Sequence, residues 1–531
     1  MRKVTILDGY VDEPSCLGVP PYIAPQIRYI YGACKEAKAT VEYYTIDQVR
    51  PKLEHWVREQ EGMVVIFCGT PVPGRYLGGR PLSIAELGKL GELLAKQNTL
   101  TFLAGPLAEL GMPVPNISHR TGEAAAQDIY EALQGTTPDS PYLESLARWA
   151  VLGAEVVHQH PSFPYLVCEL ETYRGCPRDK GCSFCSERLK KLRYMRPVEH
   201  ILREVEALYR FGARYFRLGC QTDLLSYGSR GDGLGVQSIV GLYEGIRTVA
   251  PDLKMLHMDN VNPTTIAVHP EAREILKAIV KHNTPQDVAS FGLESTDPKV
   301  LAENNIGTSP ELTFRAIEIV NEIGAIREKG LCKLLPGLNL LHGLKGETKA
   351  TYALNLEYLR RIRDQGLLLR RINVRQVRPI AGYTPAKVNK YHFEQYKQTI
   401  NEEINKPLLQ QLYPTGTRLE EVILEAVEGS LTFGRQLGSY PIRVGIPGQH
   451  PLGIPVTVKI VDHGYRSITG IKTPFLLNQA SIAELESIPG LGKKRAQRIF
   501  LNRPIRGPEH LAEILDAQAP IDLLLSLIDG Y

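Results

Sequence analysis

The segment "YRGCPRDKGCSFC" at residues 173–185 contains three cysteines, Cys176, Cys182 and Cys185, within ten positions. A structural zinc site needs four ligands, usually as two separated pairs. No second pair is near, and no histidine lies within ten residues of the segment. Three thiolates around an iron–sulfur cubane leave one iron open to bind another molecule. The spacing therefore favours an iron–sulfur cluster over zinc.

The composition of the 531 residues is that of an ordinary globular protein, with 43% hydrophobic and 23% charged residues. The length exceeds what one hydrophobic core supports, so we expect several domains. The net charge is only +4, so any affinity for nucleic acid must come from a local patch. No apolar run is long enough to span a membrane, and "MRKVTILDGY" is typical of a first strand rather than a signal peptide. We therefore expect a cytoplasmic monomer that does not bind membranes.

The first part of the chain, residues 1–155, alternates strand and helix patterns such as "KVTILD", "APQIRYIYGACKEA" and "GMVVIFCG". This series predicts a doubly wound parallel sheet, followed over residues 111–160 by a weakly patterned helical linker. Long loops rich in glycine and proline follow three strands, at residues 8–22, 69–83 and 104–115. Ligands of such sheets bind at the carboxyl ends of the strands, so these loops predict a ligand site.

The remaining chain divides into three regions. Residues 156–390 contain six strand patterns separated by helices, which predict a (β/α)6 partial TIM-type barrel with its active site at the strand carboxyl ends. The cysteine segment follows the first of these strands. Residues 391–475 predict a helical connector and a small all-β barrel, and residues 476–531 predict a helix-hairpin-helix domain. The predicted fold class is thus multidomain α/β.

The cysteine segment resembles the signature of the radical S-adenosylmethionine (radical SAM) superfamily, although its first gap has five residues where three are usual. Segments downstream are similar to those of related enzymes in the same order: "LGCQTDLLS", "FGLES", "NLLHGLKGET" and "VRQVRPIAGYTP". The common "GGE" motif is absent. The resemblance implies that the three cysteines hold a [4Fe-4S] cluster and that the other segments hold S-adenosylmethionine. The implied contacts are Phe184, Gly219, Gln221, Thr222, Glu294, Asn339, His342 and Val377.

A parallel-sheet domain before such a barrel resembles the cobalamin-binding domain of cobalamin-dependent radical SAM methyltransferases. The resemblance implies that a 5′-deoxyadenosyl radical activates an unreactive carbon, which then receives a methyl group from methylcobalamin. The usual "D-x-H-x-x-G" motif is absent, so no histidine would ligate the cobalt from below. The implied cobalamin contacts are Asp8, Gly9, Tyr10, Pro20, Pro21, Gly69, Thr70 and Gly105.

The order of domains resembles an archaeal group that includes the glutamine C-methyltransferase of methyl-coenzyme M reductase. This likeness implies a protein or peptide substrate and a one-electron donor as partners. In the segment "LESIPGLGKKRAQRI", the turn at Gly490 and Gly492 precedes a basic helix, so it predicts either a phosphate contact to nucleic acid or a protein-docking module.

A second reading is the tRNA methylthiotransferase group, whose N-terminal cysteines hold a second iron–sulfur cluster and whose C-terminal β-barrel, of the TRAM or OB type, binds RNA. Cys16, Cys34 and Cys68 are candidates for those ligands, but Cys34 falls inside an amphipathic helix and should pack in the core. Cys168 and Cys332 lie in apolar strand-like runs, which predicts buried small side chains. A third reading is a non-enzymatic metal-bearing protein that binds RNA.

Overall fold

The N-terminal domain is built on a five-stranded parallel sheet with the order β3-β1-β4-β5-β6. The computed structural model describes residues 2–70, 78–111, 113–231, 233–380 and 382–531. Residues 71–77 and 112, which belong to two of the predicted ligand loops, lie outside the described residues. The elements of this domain are β1 (Lys3–Asp8), β2 (Tyr22–Ile23), α1 (Pro25–Glu36), β3 (Thr40–Thr45), α2 (Ile46–Val49), α3 (Leu53–Arg58), β4 (Met63–Phe67), α4 (Ile84–Lys96), β5 (Leu100–Ala104), α5 (Pro106–Glu109), β6 (His119–Arg120), α6 (Ala125–Gln134) and α7 (Tyr142–Leu152).

The central strands of this sheet are apolar on both faces because helices cover both sides. Strand β4 has the sequence MVVIF, and all five of its residues are buried. Its side chains alternate between two separate cores, with Val65 in one and Ile66 in the other. The doubly wound parallel sheet that the sequence predicts is therefore present.

The predicted linker over residues 111–160 is a packed part of the structure. Helices α6 and α7 lie against α1, and Trp149 of α7 is fully buried. A Cβ added at Gly32 of α1 would lie 2.0 Å from the carbonyl oxygen of Trp149, so only glycine permits this approach. The weak sequence pattern reflects helices that are buried against one another rather than a free connection.

The second domain contains two sheets of parallel strands, with the orders β2-β7-β10-β11 and β12-β15-β16. A parallel bridge between Asn260 and Ser290 joins them. All six predicted strands are present. In addition, β2 from the N-terminal domain pairs with β7 as an edge strand of the first sheet, which the sequence did not predict. The elements are β7 (Val167–Glu171), β8 (Tyr173–Arg174), β9 (Tyr194–Met195), α8 (Val198–Arg210), β10 (Tyr215–Gly219), α9 (Val236–Val249), β11 (Met255–Met258), α10 (Pro263–Val268), α11 (Ala272–His282), β12 (Asp287–Glu294), α12 (Pro298–Glu303), α13 (Pro310–Gly324), β13 (Arg327–Glu328), β14 (Leu331–Cys332), β15 (Leu334–His342), α14 (Lys349–Asp364) and β16 (Arg371–Gln376).

The C-terminal part comprises a closed five-stranded barrel with the order β17-β18-β19-β21-β20, followed by four helices. The small all-β barrel that the sequence predicts is therefore present. Over the described parts of the chain, no helix is both long and apolar enough to cross a membrane. The elements are α15 (Lys390–Ile400), α16 (Lys406–Leu412), β17 (Arg418–Glu428), β18 (Leu431–Arg435), β19 (Arg443–Pro447), β20 (Pro455–His463), β21 (Ser467–Lys472), α17 (Ile482–Glu486), α18 (Gly492–Leu501), α19 (Pro508–Ile514) and α20 (Ile521–Leu527).

Candidate active site

The three clustered cysteines lie on one loop, residues 175–190, directly after β7 and the short strand β8; we refer to it as the cluster loop. Cys176, Cys182 and Cys185 are partly exposed, whereas the other six cysteines are buried. The backbone N–H of Cys185 donates to the carbonyl of Cys182 at 3.1 Å, which forms a tight turn between these two thiols. The loop therefore presents three accessible thiols together, as the predicted cluster requires.

Hydrogen bonds from Arg178 and Asn305 hold the cluster loop in place. Arg178 donates to the Cys182 sulfur at 3.3 Å and to the carbonyl of Asn305 at 3.0 Å. The Asn305 side chain in turn donates to the carbonyls of Lys180 and Gly181 at 2.8 and 3.0 Å. Burial raises the pKa of the Cys182 thiol, while the nearby Arg178 guanidinium lowers it. A cation beside a thiol favours the thiolate, which is the form that binds metal.

The donor set fits an iron–sulfur cluster with one open iron. Three thiols come from one loop, and the cluster loop follows the carboxyl end of the first strand of the domain. Burial also raises the pKa of the Cys185 thiol, with further contributions from Glu187 and the other two cysteines. Iron bound to the sulfurs would compensate this cost because it stabilises the thiolates.

Phe184 and Val377, two predicted cofactor contacts, are brought together by the fold. Both side chains pack against one apolar cluster that also contains Val300, Leu344 and Tyr383. The Phe184 and Tyr383 rings meet edge to face with centroids 6.2 Å apart. The end of β16 and the cluster loop therefore contribute to the same apolar surface, although nearly 200 residues separate them in sequence.

Glu294 ends β12 with an unusual geometry. Its backbone has φ 64°, in the left-handed region, and the pairing of β12 with β15 is irregular between Phe291 and Glu294. Gly292, two residues earlier, is exposed inside the strand, so the surface there is open. The Glu294 Oε2 atom is buried without a hydrogen-bond partner, and burial raises the pKa of this carboxyl to about 8. A buried, unpaired acceptor beside an open glycine fits the predicted contact to a ribose or methionyl group.

The predicted contacts at the end of β10 are largely occupied by other protein groups. The Gln221 side chain accepts from Thr172 at 3.2 Å and donates to the carbonyl of Leu218 at 3.0 Å. Thr222 contacts the Tyr173 hydroxyl at 3.3 Å. A Cβ at Gly219 would lie 1.8 Å from a carboxylate oxygen of Glu169, so this glycine makes room for that carboxylate. Gln221 is fully buried and therefore supports the strand end instead of facing a ligand.

Asn339 and His342, both on β15, face opposite sides of the sheet. Asn339 is partly exposed and donates to Ser290 on β12 at 3.3 Å. His342 is fully buried against the rings of Tyr352 and Tyr396, with centroids 4.4 and 5.0 Å away. His342 thus packs on the face of β15 opposite Asn339, and its contact to a cofactor stays a prediction. Side chains alternate along a strand, so residues three positions apart cannot share a face.

Six polar side chains, one from each of the six predicted strands or its end, form two linked groups of three that we together call the inner ring. Arg217 pairs with Glu169 at 2.6 Å and with Asp259 at 2.5 Å. On the other side, Asn373 donates to Asn339 at 3.1 Å, and Asn339 contacts Ser290. The members are Glu169, Arg217, Asp259, Ser290, Asn339 and Asn373. The interior of this domain is therefore polar at the level of the inner ring.

The predicted cobalamin contacts of the N-terminal domain are mostly buried against one another. Asp8 accepts from the Tyr10 N–H at 2.9 Å and from the Tyr43 hydroxyl at 2.8 Å. Thr70 donates from its backbone and its hydroxyl to Glu13 at 2.7 and 3.0 Å. The remaining predicted contacts, all buried, are Gly9, Pro20, Pro21, Gly69 and Gly105.

A cleft that is open to solvent lies between the carboxyl edge of the N-terminal sheet and the cluster loop. Arg174 spans this boundary and pairs with Glu109 at 2.8 Å. Ser15 donates to Glu187 at 2.8 Å across the same boundary. The lining residues are Val11, Glu13, Cys16, Gln26, Phe67, Pro106, Glu109, Leu110, Glu123, Arg174, Ser186, Glu187, Leu189 and Lys190.

The predicted ligand loops 8–22 and 104–115 supply six lining residues, whereas Arg174 and residues 186–190 were not predicted. The six are Val11, Glu13, Cys16, Pro106, Glu109 and Leu110. The charged run "SERLKK" directly after Cys185 could have indicated residues 186–190. Charged side chains beside a metal-binding loop face either solvent or a partner, so this run favours a surface that another domain or a ligand contacts. Lys190 pairs with Glu187 at 2.6 Å at the floor of the cleft. Burial raises the pKa of Glu13 to about 7.

The N-terminal cysteines are not gathered into one site. Cys34 is buried in α1 within one core, and Cys68 lies in the other core on the opposite face of the sheet. Cys16 instead lies beside Cys220 and Glu169, with the three possible ligand atoms within 4.8 Å of one another. Cys168 and Cys332 are buried, as predicted. The arrangement gives no support to a second cluster on Cys16, Cys34 and Cys68.

The comparisons with known proteins agree with the site. Residues 170–353 match the model of the radical SAM superfamily, and residues 456–501 match that of the SAM-like helix-hairpin-helix tandem. An uncharacterized protein of Archaeoglobus fulgidus is 41% identical, covering 98% of this chain and 99% of that protein. An uncharacterized protein of Methanocaldococcus jannaschii is 40% identical, covering 88% of this chain and 93% of that protein.

Two solved structures are similar at low sequence identity. The radical S-adenosylmethionine methyltransferase TsrM from Kitasatospora setae, with tryptophan and a SAM analogue bound, has a TM-score of 0.48 and 13% identity, covering 68% of this chain and 72% of that one. The cobalamin-dependent S-adenosylmethionine radical enzyme OxsB, with aqua-cobalamin and S-adenosylmethionine bound, has a TM-score of 0.47 and 14% identity, covering 76% of this chain and 56% of that one.

The partly exposed cysteines thus lie within the segment that the superfamily model matches, and the two archaeal relatives match this chain over most of its length. The chain belongs to one family with these archaeal proteins, and it is an enzyme of the radical SAM superfamily.

Proposed function

We propose that this protein is a cobalamin-dependent radical SAM methyltransferase that methylates an unactivated carbon of its substrate. The observation that carries the proposal is the cleft between the carboxyl edge of the N-terminal sheet and the cluster loop. A parallel sheet binds its ligand at this edge, and here the edge faces the three cysteines. A corrin in the cleft would therefore lie next to the place where S-adenosylmethionine meets the cluster.

The residues around the cleft suit a ligand with many amide groups. The charged side chains that line the cleft are mostly paired, Arg174 with Glu109 and Lys190 with Glu187, so the polar lining is nearly neutral. Val11, Phe67 and Leu110 supply apolar surface that a macrocycle can cover. Cobalamin combines an apolar ring with peripheral amides, so this mixture fits it.

Each part of the site has a distinct task. When bound, the cluster and S-adenosylmethionine supply a 5′-deoxyadenosyl radical and methylcobalamin supplies the methyl group. Cys176, Cys182 and Cys185 hold the cluster, and Glu294 accepts a hydrogen bond from S-adenosylmethionine. Phe184 and Val377 form an apolar wall that excludes water.

The test is EPR spectroscopy of the full chain purified anaerobically and loaded with cob(II)alamin. No histidine lines the cleft among the described residues, so we expect a protein-bound signal without the superhyperfine splitting that a nitrogen ligand to cobalt produces. Absence of bound cobalamin after gel filtration would contradict the proposal.

The finer substrate, a glutamine of methyl-coenzyme M reductase, stays a prediction from the order of domains. One feature of the structure is consistent with the alternative of a methylthiotransferase: the closed β-barrel of β17–β21. The second cluster of such an enzyme would need Cys34 and Cys68 to meet, although they lie in cores on opposite faces of the sheet. We therefore favour methyl transfer.

A further inference from the structure

The interior of the second domain is completed by a loop of the small β-barrel, residues 436–442, which we call the plug loop. Ser439 donates from its hydroxyl to the carbonyl of Met258 at 2.7 Å and from its N–H to His257 at 3.0 Å. The Tyr440 hydroxyl donates to Asp259, a member of the inner ring, at 3.1 Å. The small barrel therefore contributes directly to the interior of the radical SAM domain.

Two arginines of β16 flank the inner ring from the same face of the strand. Arg371 and Arg375 lie two positions on either side of Asn373, and alternation places all three side chains on one face. Both approach the Asn373 side-chain oxygen, at 3.5 and 3.1 Å. The Arg371 guanidinium also lies over the Tyr440 ring, 4.3 Å from its centroid.

The positive charge of these arginines is weakly compensated. Within the described parts of the chain, neither Arg371 nor Arg375 has a carboxylate within ion-pair distance, and the same holds for Arg466 of the small barrel. Burial lowers the pKa of Arg371 to about 10, with Arg375 and Arg466 lowering it further, while Tyr440 and Asp12 raise it. Arg371 is partly exposed and Arg375 is exposed, so both guanidinium groups are open to a carboxylate or phosphate, whose geometry they match.

We propose that Arg371 and Arg375 form a subsite for an anionic group of the substrate, a carboxylate or a phosphate, beside Tyr440 of the plug loop. This inference rests on the proposed function, because it assigns the substrate end of the same site. Two domains of the chain contribute to it: β16 of the second domain and Tyr440 of the small barrel.

Arg371 marks the end of this subsite that lies away from the place assigned to S-adenosylmethionine, whereas Arg375 lies near Glu294 and lowers the pKa of its carboxyl. Strand register puts Glu294 beside Leu340 and Leu340 beside Val374. Arg371 is three residues before Val374, so it lies roughly 10 Å further from the carboxyl end of the sheet at about 3.3 Å per residue. A substrate held there would extend from the inner ring toward the cluster loop.

The test is isothermal titration of the cluster-loaded full chain with inorganic phosphate and, separately, with acetate at constant ionic strength. We expect at least one probe to bind the wild-type protein, and Arg371→Gln and Arg375→Gln to weaken that binding at least about tenfold, as loss of a charge-assisted hydrogen bond implies. Arg371→Lys keeps the charge and should bind better than Arg371→Gln. Arg210→Gln, an exposed arginine on α8, is the matched control and should bind as the wild type does.

Each outcome has a distinct meaning. Binding of phosphate but not acetate assigns a phosphorylated substrate, and the reverse assigns a carboxylate. Equal binding by the wild type and Arg371→Gln overturns the subsite. Loss of probe binding in saturating S-adenosylmethionine also overturns it, because the arginines would then hold the methionyl carboxylate. If the wild type forms no 5′-deoxyadenosine after reduction with dithionite, the proposed function fails instead, whatever the probes do.

Discussion

Glu294 combines three properties that rarely occur together in one residue: a left-handed backbone, a buried carboxyl and an oxygen without a partner. Strain and an unsatisfied acceptor both cost free energy of folding, so they persist where they serve a ligand. The glycine that precedes it by two positions keeps the approach open. These features make Glu294 the side chain outside the cluster loop that we propose most firmly as a contact to S-adenosylmethionine.

Replacement of this carboxyl should weaken S-adenosylmethionine binding. We expect Glu294→Ala to raise the Kd by about 2- to 10-fold at neutral pH, because a carboxyl with a pKa of about 8 is mostly protonated there and a neutral hydrogen bond contributes about 0.5–1.5 kcal/mol. Equilibrium dialysis with labelled S-adenosylmethionine measures the change. Glu274→Ala on the exposed face of α11 is the control. An unchanged Kd in Glu294→Ala would remove this residue from the site.

A second buried carboxyl, Asp8, makes the stability of the N-terminal domain depend on pH. Burial raises the pKa of Asp8 to about 7, although hydrogen bonds from Tyr10 and Tyr43 oppose the shift. Between about pH 4 and 7 the unfolded state has lost this proton while the folded state keeps it, so the stability falls as the pH rises. Above the folded pKa the contribution is constant.

The variant Asp8→Asn removes this titration while keeping the shape of the side chain. We therefore expect its Tm relative to the wild type to increase between pH 4 and 7 and then to level off. Differential scanning calorimetry at several pH values measures the trend, with the exposed Asp139→Asn as control. A difference that is independent of pH would contradict the assignment.

At the residue scale, the sequence predicted side chains that belong to contiguous motifs. The three cysteines and Phe184 lie together because a single loop carries them. A contiguous motif does not reveal which residues share a face: strand alternation places His342 on the side of β15 opposite Asn339. Arg371 and Arg375 were missed because their significance depends on Tyr440, which a different domain supplies.

At the scale of elements, ion pairs join the cluster loop to the N-terminal sheet. Arg174 on β8 is almost fully buried and pairs with Glu109 after β5 at 2.8 Å and with Glu123 at 3.7 Å. The pairing of β2 with β7 adds backbone hydrogen bonds between the same two domains. A two-residue strand has no sequence signature, so this pairing could not be predicted.

Removal of the Arg174 side chain leaves two partly buried carboxylates without a cation. We expect Arg174→Ala to destabilise the protein by about 3–5 kcal/mol, the cost of breaking a buried pair. Thermal unfolding and limited proteolysis of the cluster loop measure the effect. Arg210→Ala breaks an exposed pair with Glu206 and should cost at most about 1 kcal/mol. Equal effects of the two variants would contradict a role of Arg174 in joining the domains.

At the scale of the whole molecule, the strand and helix patterns predicted the doubly wound sheet, the six strands of the second domain and the small barrel, because each pattern is local. Domain packing was not predictable in the same way. The helices at residues 125–152 belong to the N-terminal core instead of a linker, and the plug loop enters the second domain through contacts over 180 residues apart in sequence.

The central claim, one cluster together with a corrin, is tested most directly by measuring iron and cobalt per chain after anaerobic purification with cobalamin supplied. The account predicts about four irons, as in a single [4Fe-4S] cluster, and one cobalt. It also predicts that Cys182→Ala loses the iron, whereas Cys34→Ala keeps it. About eight irons without cobalt, with iron lost in Cys34→Ala, would contradict the account and establish a second cluster in the N-terminal domain.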